Sequence, residues 1–256
     1  MSYKQILVRR DGPLVWLTLN RPAEANAIST LMSQEFITAI EEAEADASCH
    51  VLILQGAGKY FCAGGDVAMM AGAADPAGFL GQLAATMHEA LLLLAASRLV
   101  TIAVVQGVAA GAGLGLVLNS DIVLASPRAG FLTAYGAVGL TPDCGVSYLL
   151  PMVVGPRRAT QMSLLGGTVG AAQALQWGLV SEIVEETGLI QRAAELGEQL
   201  GSGATQVLGP TKRLLAGRRA SDYAAHLADE AATITTMIAH PQTHKSIAAF
   251  VAQRGK

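Results

Sequence analysis

Two glycine-rich stretches and one carboxylate are the parts of this chain whose residue types and spacing could do chemistry. The denser stretch is Gly107-Val108-Ala109-Ala110-Gly111-Ala112-Gly113-Leu114-Gly115-Leu116. It follows an apolar strand-like run, Val100-Thr101-Ile102-Ala103-Val104-Val105, and leads into another, Asp121-Ile122-Val123-Leu124-Ala125. Glycine costs backbone entropy, so this density calls for unusual φ/ψ angles or close approach of the backbone to another group. A strand, a glycine turn and a short helix leave free N–H groups at the helix start. Those groups and the helix dipole favour a negatively charged oxygen. The stretch reads as an anion or oxyanion site centred on Gly111-Ala112-Gly113, or as close helix–sheet packing with no ligand. The second stretch, residues 55–66, carries Gly56, Gly58, Gly64 and Gly65 and ends on Asp66. The carboxylate is Asp143, which follows Pro142 at an expected helix start. There it is placed either to exchange protons or to complement the helix dipole.

The rest of the chain must position these groups. With 256 residues, 52% of them hydrophobic and 14% charged, it has enough apolar surface for a large core, which excludes disorder. A net charge of −3 gives no reason to expect nucleic-acid binding. Cys49, Cys62 and Cys144 show no CxxC spacing and no nearby His pair, so free thiols and no metal site are expected. Residues 1–6 lack the apolar segment of a signal peptide, and a cytoplasmic protein is expected. The uncharged run 99–118 has about the length of a membrane span. Its glycines, Gln106 and the strand-type residues of its first half argue for a buried segment and no membrane.

Strands are expected at residues 5–10 and Leu14–Leu19, joined by the turn Asp11-Gly12-Pro13. Ser29 is placed to cap a helix reaching about Ala47, and 51–54 is a short buried strand. A helical turn follows at 67–70, a mobile Gly/Ala-rich stretch at 71–78 and a long helix at 79–97. The glycine turn comes next, and strand, glycine loop and helix have then appeared twice. That repetition argues for an α/β core with its loops gathered on one side. Further expectations are a strand near 130–133, a helix from Pro142 to about Val153, a helix Pro156–Leu165, a short helix at 170–176 and a last strand at 180–184. Beyond Leu189 the pattern is helical throughout. The composition shift near 190 divides the chain into a core, 1–190, and a helical region, 191–256. Ile234, Ile238, Ile247 and Phe250 give the final helices an apolar face for the core or for another subunit.

Taken in order, the motifs resemble the crotonase superfamily, the enoyl-CoA hydratase/isomerase family. Asn20-Arg21-Pro22 with Asn26-Ala27 is similar to its first CoA-contacting loop, and Phe61-Cys62-Ala63-Gly64-Gly65-Asp66-Val67 to its first oxyanion loop. Gln106 to Gly113 with Asp121-Ile122-Val123 resembles the second oxyanion loop. Gly139-Leu140-Thr141-Pro142-Asp143 and the segment Ala174-Leu175-Gln176-Trp177-Gly178-Leu179-Val180 match as well. The resemblance implies a spiral of ββα turns whose helical C-terminal region builds a homotrimer or a dimer of trimers. It implies an acyl-CoA thioester substrate, with coenzyme A arriving as part of the substrate and no separate cofactor. The thioester carbonyl would lie between the backbone N–H groups of Gly65 and Ala112, which stabilise charge developing on that oxygen. By the same resemblance Ala23, Ala25, Ala63, Gly64, Gly65, Asp66, Val67 and Ala112 contact the CoA thioester. Ala23 replaces a lysine that many relatives carry, which removes one phosphate contact.

The resemblance also bears on the reaction. Family hydratases use two glutamates, and the matching positions hold Gly115 and Tyr135. Ordinary hydration is therefore not expected. The segment from Gly139 to Pro151 resembles the one in which single-acid enoyl-CoA isomerases carry their carboxylate, which makes Asp143 the expected general base and acid. The expectation is a 3-enoyl-CoA to 2-enoyl-CoA isomerase, or one acting on a related ring substrate. Hydration or another lyase or hydrolase reaction on a CoA thioester, and a non-catalytic CoA-binding protein, are the alternatives. Asp66 reads as a loop or cap residue, Asp121 as structural, Cys144 and His88 as packing, and His226, His240 and His244 as surface or interface. Tyr135 reads equally as a hydrogen-bonding partner of substrate or Asp143 and as pocket filling. Met69, Met70, Phe79, Leu83 and Met87 are either acyl pocket or ordinary core. Phe250 and Lys256 are placed to reach a neighbouring CoA site.

Overall fold

The computed structural model describes residues 3–217 and 219–254. Among the described residues nine strands form two sheets. β1 (Ile6–Asp11) and β2 (Leu14–Leu19) make an antiparallel hairpin, and β3 (Val51–Gly56), β4 (Val100–Val105), β6 (Ile122–Ala125) and β9 (Glu182–Ile183) continue from β2 in parallel. The smaller sheet holds β5 (Val108–Ala110), β7 (Gly130–Leu132) and β8 (Val169–Gly170). Isolated bridges, Ile28 to Gly65 and Cys62 to Ala109, extend its wall. Each successive turn of the chain lays one strand in the large sheet and a short extended piece in the second wall, then runs into helix. α1 (Thr30–Ala45), α2 (Val67–Gly72) with α3 (Pro76–Ala96), α4 (Ala112–Leu118) and α5 (Val146–Val154) close four such turns. This is the spiral of ββα turns.

Alternation within the strands explains the two cores, because successive side chains point to opposite faces. Val15, Leu17, Leu52, Leu54, Ala103 and Val105 face the main core, with Phe36 and Ile40 of α1 and Leu91 and Leu94 of α3. Leu14, Trp16, Val51, Ile53, Ile102 and Val104 face the other way, under Leu189 and Ala193 of the later helix Leu189–Gly201. Central strands buried on both faces read as unbroken apolar runs. That is why the uncharged stretch 99–118 resembled a membrane span and is instead β4, β5 and α4.

Two local expectations change. The helix expected at Pro142 starts at Val146, because Cys144 (φ 58°) and Gly145 (φ 77°) are left-handed and cannot continue a helix. Asp143 therefore sits in a loop and is not a first-turn dipole partner. The stretch 71–78 is largely helical: α2 runs to Gly72, and α3 begins at Pro76 with the Asp75 carboxylate accepting from Gly78 N at 3.0 Å. An aspartate before proline is a helix-start signal, and glycine and alanine content masked it.

Fully buried Asn26 joins the loops of the first two turns. Its Oδ1 accepts from Arg21 N at 3.0 Å, and its Nδ2 donates to the carbonyls of Ala57 (2.9 Å), Tyr60 (2.8 Å) and Phe61 (3.2 Å). Asn26→Ala leaves the Ala57 and Phe61 carbonyls without this donor, while Tyr60 O keeps Gln106 Nε2, and the loss costs about 1–3 kcal/mol. Thermal unfolding should show a fall of several degrees, and an unchanged midpoint would contradict the clamp.

Candidate active site

The two glycine stretches meet edge to edge. Phe61 N and Cys62 N donate to Val108 O at 3.1 and 3.2 Å, and Ala110 N donates back to Cys62 O at 2.9 Å. On its other side the first loop pairs with the segment around Ile28: Ile28 N donates to Gly64 O at 2.8 Å, Asp66 N to Ile28 O at 3.0 Å and Ala63 N to Ala25 O at 3.0 Å. Gly111 N donates to Leu132 O at 3.1 Å. These bonds use the carbonyl of Gly64 and the amide of Asp66 on either side of Gly65, and the amide of Gly111 preceding Ala112. The Gly65 and Ala112 N–H groups themselves have no acceptor among the described residues. Ala112 is the first residue of α4, where an N–H has no intrahelical partner.

Glycine is needed at two of these positions. A Cβ on Gly64 (φ 98°) would stand 3.0 Å from Ala110 O and 3.5 Å from Ala112 N. On Gly113 it would lie 2.3 Å from Cys62 O. Side chains there would push the loops apart.

Gly64, Gly65 and Ala112 line a cavity of about 210 Å³ together with Asp143. Its walls are apolar, with Met70, Leu83 and Met87 contributing. Met69 is 43% exposed and Phe79 packs against the core, so neither shares the wall. Ile234 of α10 (Arg219–Ile238) and Phe250 of α11 (Pro241–Arg254) form its roof. Phe250 thus lines the cavity of its own chain, and Lys256 lies outside the described residues.

Asp143 is 5% exposed. Its Oδ1 accepts from Cys144 N at 2.6 Å and meets His88 Nε2 of α3 in close contact; Cys144 Sγ lies 3.7 Å from Oδ2. Tyr135 fills part of the cavity wall while its hydroxyl donates to Asp143 O at 2.8 Å, so both of its readings are realised. Burial pushes the Tyr135 phenol and the Cys144 thiol well above their ordinary values, and it pushes Cys62 up to about 12. These groups are neutral hydrogen-bonding or packing groups near neutral pH. His88 is the residue that sequence reading passed over. A lone histidine among apolar helix residues gave no sign of a partner 55 positions away.

The C-terminal helices hold the Asp143 loop. Glu230 of α10 accepts from Gly145 N at 2.7 Å and Ser147 N at 3.0 Å, and it also meets the Ser147 hydroxyl. His226 Nε2 is 2.7 Å from that hydroxyl. Tyr223 packs over Gly145, where a Cβ would stand 2.1 Å from its Oη, and it donates to Asn119 Oδ1 at 2.8 Å. At Gly115 an added Cβ would lie 2.6 Å from Cys144 O. The Asp143 loop thus leaves no room for a side chain at 115, one of the two positions matched above to hydratase glutamates.

The remaining residues have other surroundings. Asp66 is the N-cap of α2, accepting from Met69 N at 3.1 Å, and pairs with Arg21 at 2.9 Å. Asp121 pairs with Lys212 at 2.9 Å and accepts from Thr101 N at 2.8 Å, tying β4 to α9 (Leu208–Ala216). Val67 and Ala63 line the cavity, whereas Ala23, Ala25 and Asp66 do not. His240 and His244 are exposed near the start of α11. His88, Asp143 and Cys144 present three potential metal-ligating atoms within 4.8 Å of one another.

The enoyl-CoA hydratase/isomerase family model matches residues 9–256, and the chain belongs to that family. It is 36% identical over 212 residues to a 1,2-epoxyphenylacetyl-CoA isomerase of Escherichia coli K12, covering 82% of this chain and 81% of that one. It is 29% identical over 251 residues to 4-chlorobenzoyl coenzyme A dehalogenase-2 of an Arthrobacter species, covering 97% and 91%. The crystal structure of an enoyl-CoA hydratase from Bacillus halodurans superposes with a TM-score of 0.89 at 25% identity, covering 96% of this chain and all of the other. The mixed α/β spiral with its helical C-terminal region is thus the crotonase fold.

Desolvation raises the Glu230 pKa more than its donors lower it. A carboxyl with a raised folded value favours folding most when protonated. Its contribution is full below the unfolded range, near 4.5, and is lost as pH rises through the folded value. The stability of wild type relative to Glu230→Gln should therefore decline from pH 4 to pH 8 in thermal unfolding. A difference that grows with pH would reverse the assignment.

Proposed function

We propose that the protein is an acyl-CoA isomerase that moves a double bond from the 3- to the 2-position of an enoyl thioester, with Asp143 as the only acid–base group. The observation that carries this reading is that Asp143 is the one carboxylate lining the cavity among the described residues, facing the same space as the free N–H groups of Gly65 and Ala112. Asp143 takes a proton from C2, and the electron pair moves into the C1–oxygen system. Gly65 N–H and Ala112 N–H donate to the resulting dienolate oxygen, where losing one donor typically costs about 3 kcal/mol of barrier. The same carboxyl returns the proton at C4, so the C3–C4 double bond becomes C2–C3. The proton stays on the enzyme, and neither a second acid nor a bound water is required. The apolar wall suits an acyl chain or ring and keeps water from the dienolate.

Hydration is disfavoured by the closed space at Gly115 and by Tyr135, whose hydroxyl is engaged with a backbone carbonyl. The CoA portion is assigned to the backbone at Ala23 and Ala25 and to Ala63, Gly64, Asp66 and Val67. Arg21 is turned inward to Asp66 and Ala27 and offers the phosphates no free charge. We also propose a homotrimer or a dimer of trimers. Leu164 and Leu165 at the end of α6 (Pro156–Leu165) are 78% and 81% exposed, and such an assembly would give them cover.

Given 3-enoyl-CoA, wild type should form the conjugated 2-enoyl thioester, followed by its ultraviolet absorbance. Asp143→Asn should lower kcat by about 10²–10⁴-fold, the range for a general acid–base group, with CoA-ester binding kept. Equal rates in the two proteins would remove Asp143 from the chemistry. A 3-hydroxyacyl-CoA as main product would establish a hydratase, and binding without turnover a non-catalytic protein.

A further inference from the structure

His88, Asp143 and Cys144 bring three different lone-pair donors together. His88 Nε2, an Asp143 carboxylate oxygen and Cys144 Sγ lie within 4.8 Å of one another, and all three residues are buried. Tetrahedral zinc holds N, O and S donors at about 2.0–2.3 Å, which sets neighbouring donors roughly 3.3–3.7 Å apart. Cys144 Sγ already stands 3.7 Å from Asp143 Oδ2. His88 meets Oδ1 more closely, and a rotation of the imidazole away from that oxygen makes the remaining room. The charge balance also calls for a cation. Asp143 has no lysine or arginine partner among the described residues; its one basic contact is His88, which is charged only when protonated. A buried carboxylate is ordinarily paired with a cation or bound to a metal. Burial first, and then the charges of Asp143 and Glu230, push the Cys144 thiol up, so two carboxyls act on this spot. Cys144 also holds a φ of 58°, uncommon for a residue other than glycine, with its thiol beside the preceding carboxylate.

We propose that His88, Asp143 and Cys144 form a binding site for a borderline-soft divalent cation, with Zn2+ as the best fit, and that its occupancy blocks the Asp143 carboxylate. An imidazole and a thiolate select against Mg2+ and Ca2+, which take oxygen donors. Binding exchanges an ion for a proton. The thiol S–H bond breaks, a Zn–S bond forms, and the proton leaves to solvent. The neutral imidazole gives the lone pair of Nε2 and keeps its proton on Nδ1, and the carboxylate gives one oxygen. No oxidation state changes. Asp143 and Cys144 both line the substrate cavity, so the fourth coordination position opens into it and the ion enters by that space. The bound oxygen no longer has a lone pair for the C2 proton. Only this inhibition rests on Asp143 as the proton carrier; the site does not.

Metal-free protein is titrated with Zn2+ by calorimetry and with Co2+ as a spectroscopic probe, while isomerisation of 3-enoyl-CoA is followed at each Zn2+ concentration. One ion per chain should bind, and Co2+ should give the near-ultraviolet charge-transfer band of a thiolate ligand. Cys144→Ser should abolish that band. Cys144→Ser and His88→Gln should each weaken Zn2+ binding by about 100-fold or more, since changes even outside a ligand shell cost about 10–100-fold. Turnover should fall in proportion to occupancy and return on chelation. Wild type without the band, a band that Cys144→Ser leaves intact, or Zn2+ affinity that His88→Gln leaves unmoved overturns the site. Undiminished turnover with the ion bound overturns the blocking role. A Cys144-dependent band in a metal-free protein that isomerises nothing would sink the isomerase reading and support the site.

Discussion

The site depends on two backbone amides kept without acceptors inside a protein. Buried N–H groups are almost always paired, so an unpaired one needs a frame that prevents it from finding a partner. Here the frame is made by the neighbours. Ile28, Ala110 and Gly111 engage the amides and carbonyls around Gly65 and Ala112, and the pairing leaves those two N–H groups over. The distance between the loops is set by Gly64 and Gly113, where a single methyl group would collide with the facing backbone. Asn26 fixes the outer side by satisfying carbonyls from the following turn. The resulting donors are part of the resting fold and need no rearrangement to meet a developing negative charge.

In the proposed reaction the two N–H donors do not choose the chemistry; the nearby carboxyl of Asp143 does. Asp143 is placed by groups far from it in sequence. Left-handed Cys144 and Gly145 turn the chain, Tyr135 holds its carbonyl, and α10 grips the following helix through Glu230 and covers Gly145 with Tyr223. The C-terminal helices therefore act within their own chain, on the loop that carries Asp143. The loop carrying Asp143 also occupies the space next to Gly115. A side chain at 115 would stand 2.6 Å from Cys144 O, so the loop that places Asp143 is compatible only with glycine there.

Much of this was legible in the sequence. Unbroken apolar runs marked the central strands, and Pro156 with Gly166 bracketed α6. The repeated strand, glycine loop and helix pointed to loops gathered on one side, and motif order pointed to the family. Other parts depended on tertiary contacts that local pattern does not carry. The true start of α5 is set by two left-handed residues, one of them a cysteine, which no propensity anticipates. His88 and Glu230 looked like ordinary members of a helix face. Their partners lie 55 and 85 residues away, and only the packing of α3 and α10 against the Asp143 loop brings them together.

The burial of Asp143 raises a physical question that the proposed chemistry answers. A carboxylate in an apolar cavity loses hydration, and that loss is tolerable only if hydrogen bonds replace it. The Cys144 amide and the His88 ring supply them on one side, leaving the other oxygen near only a weak thiol donor. An acid–base group that must visit both protonation states within one turnover cannot be held too firmly in either. Two strong donors on one oxygen and a weak one on the other meet that need. The carboxylate is tolerated when charged, and a lightly held oxygen remains to accept a proton. In the proposed isomerisation this asymmetry would let a single carboxyl serve two carbon atoms of one substrate. The carboxyl would stay anchored through Oδ1, and the dienolate oxygen between Gly65 and Ala112. The proton alone has to travel.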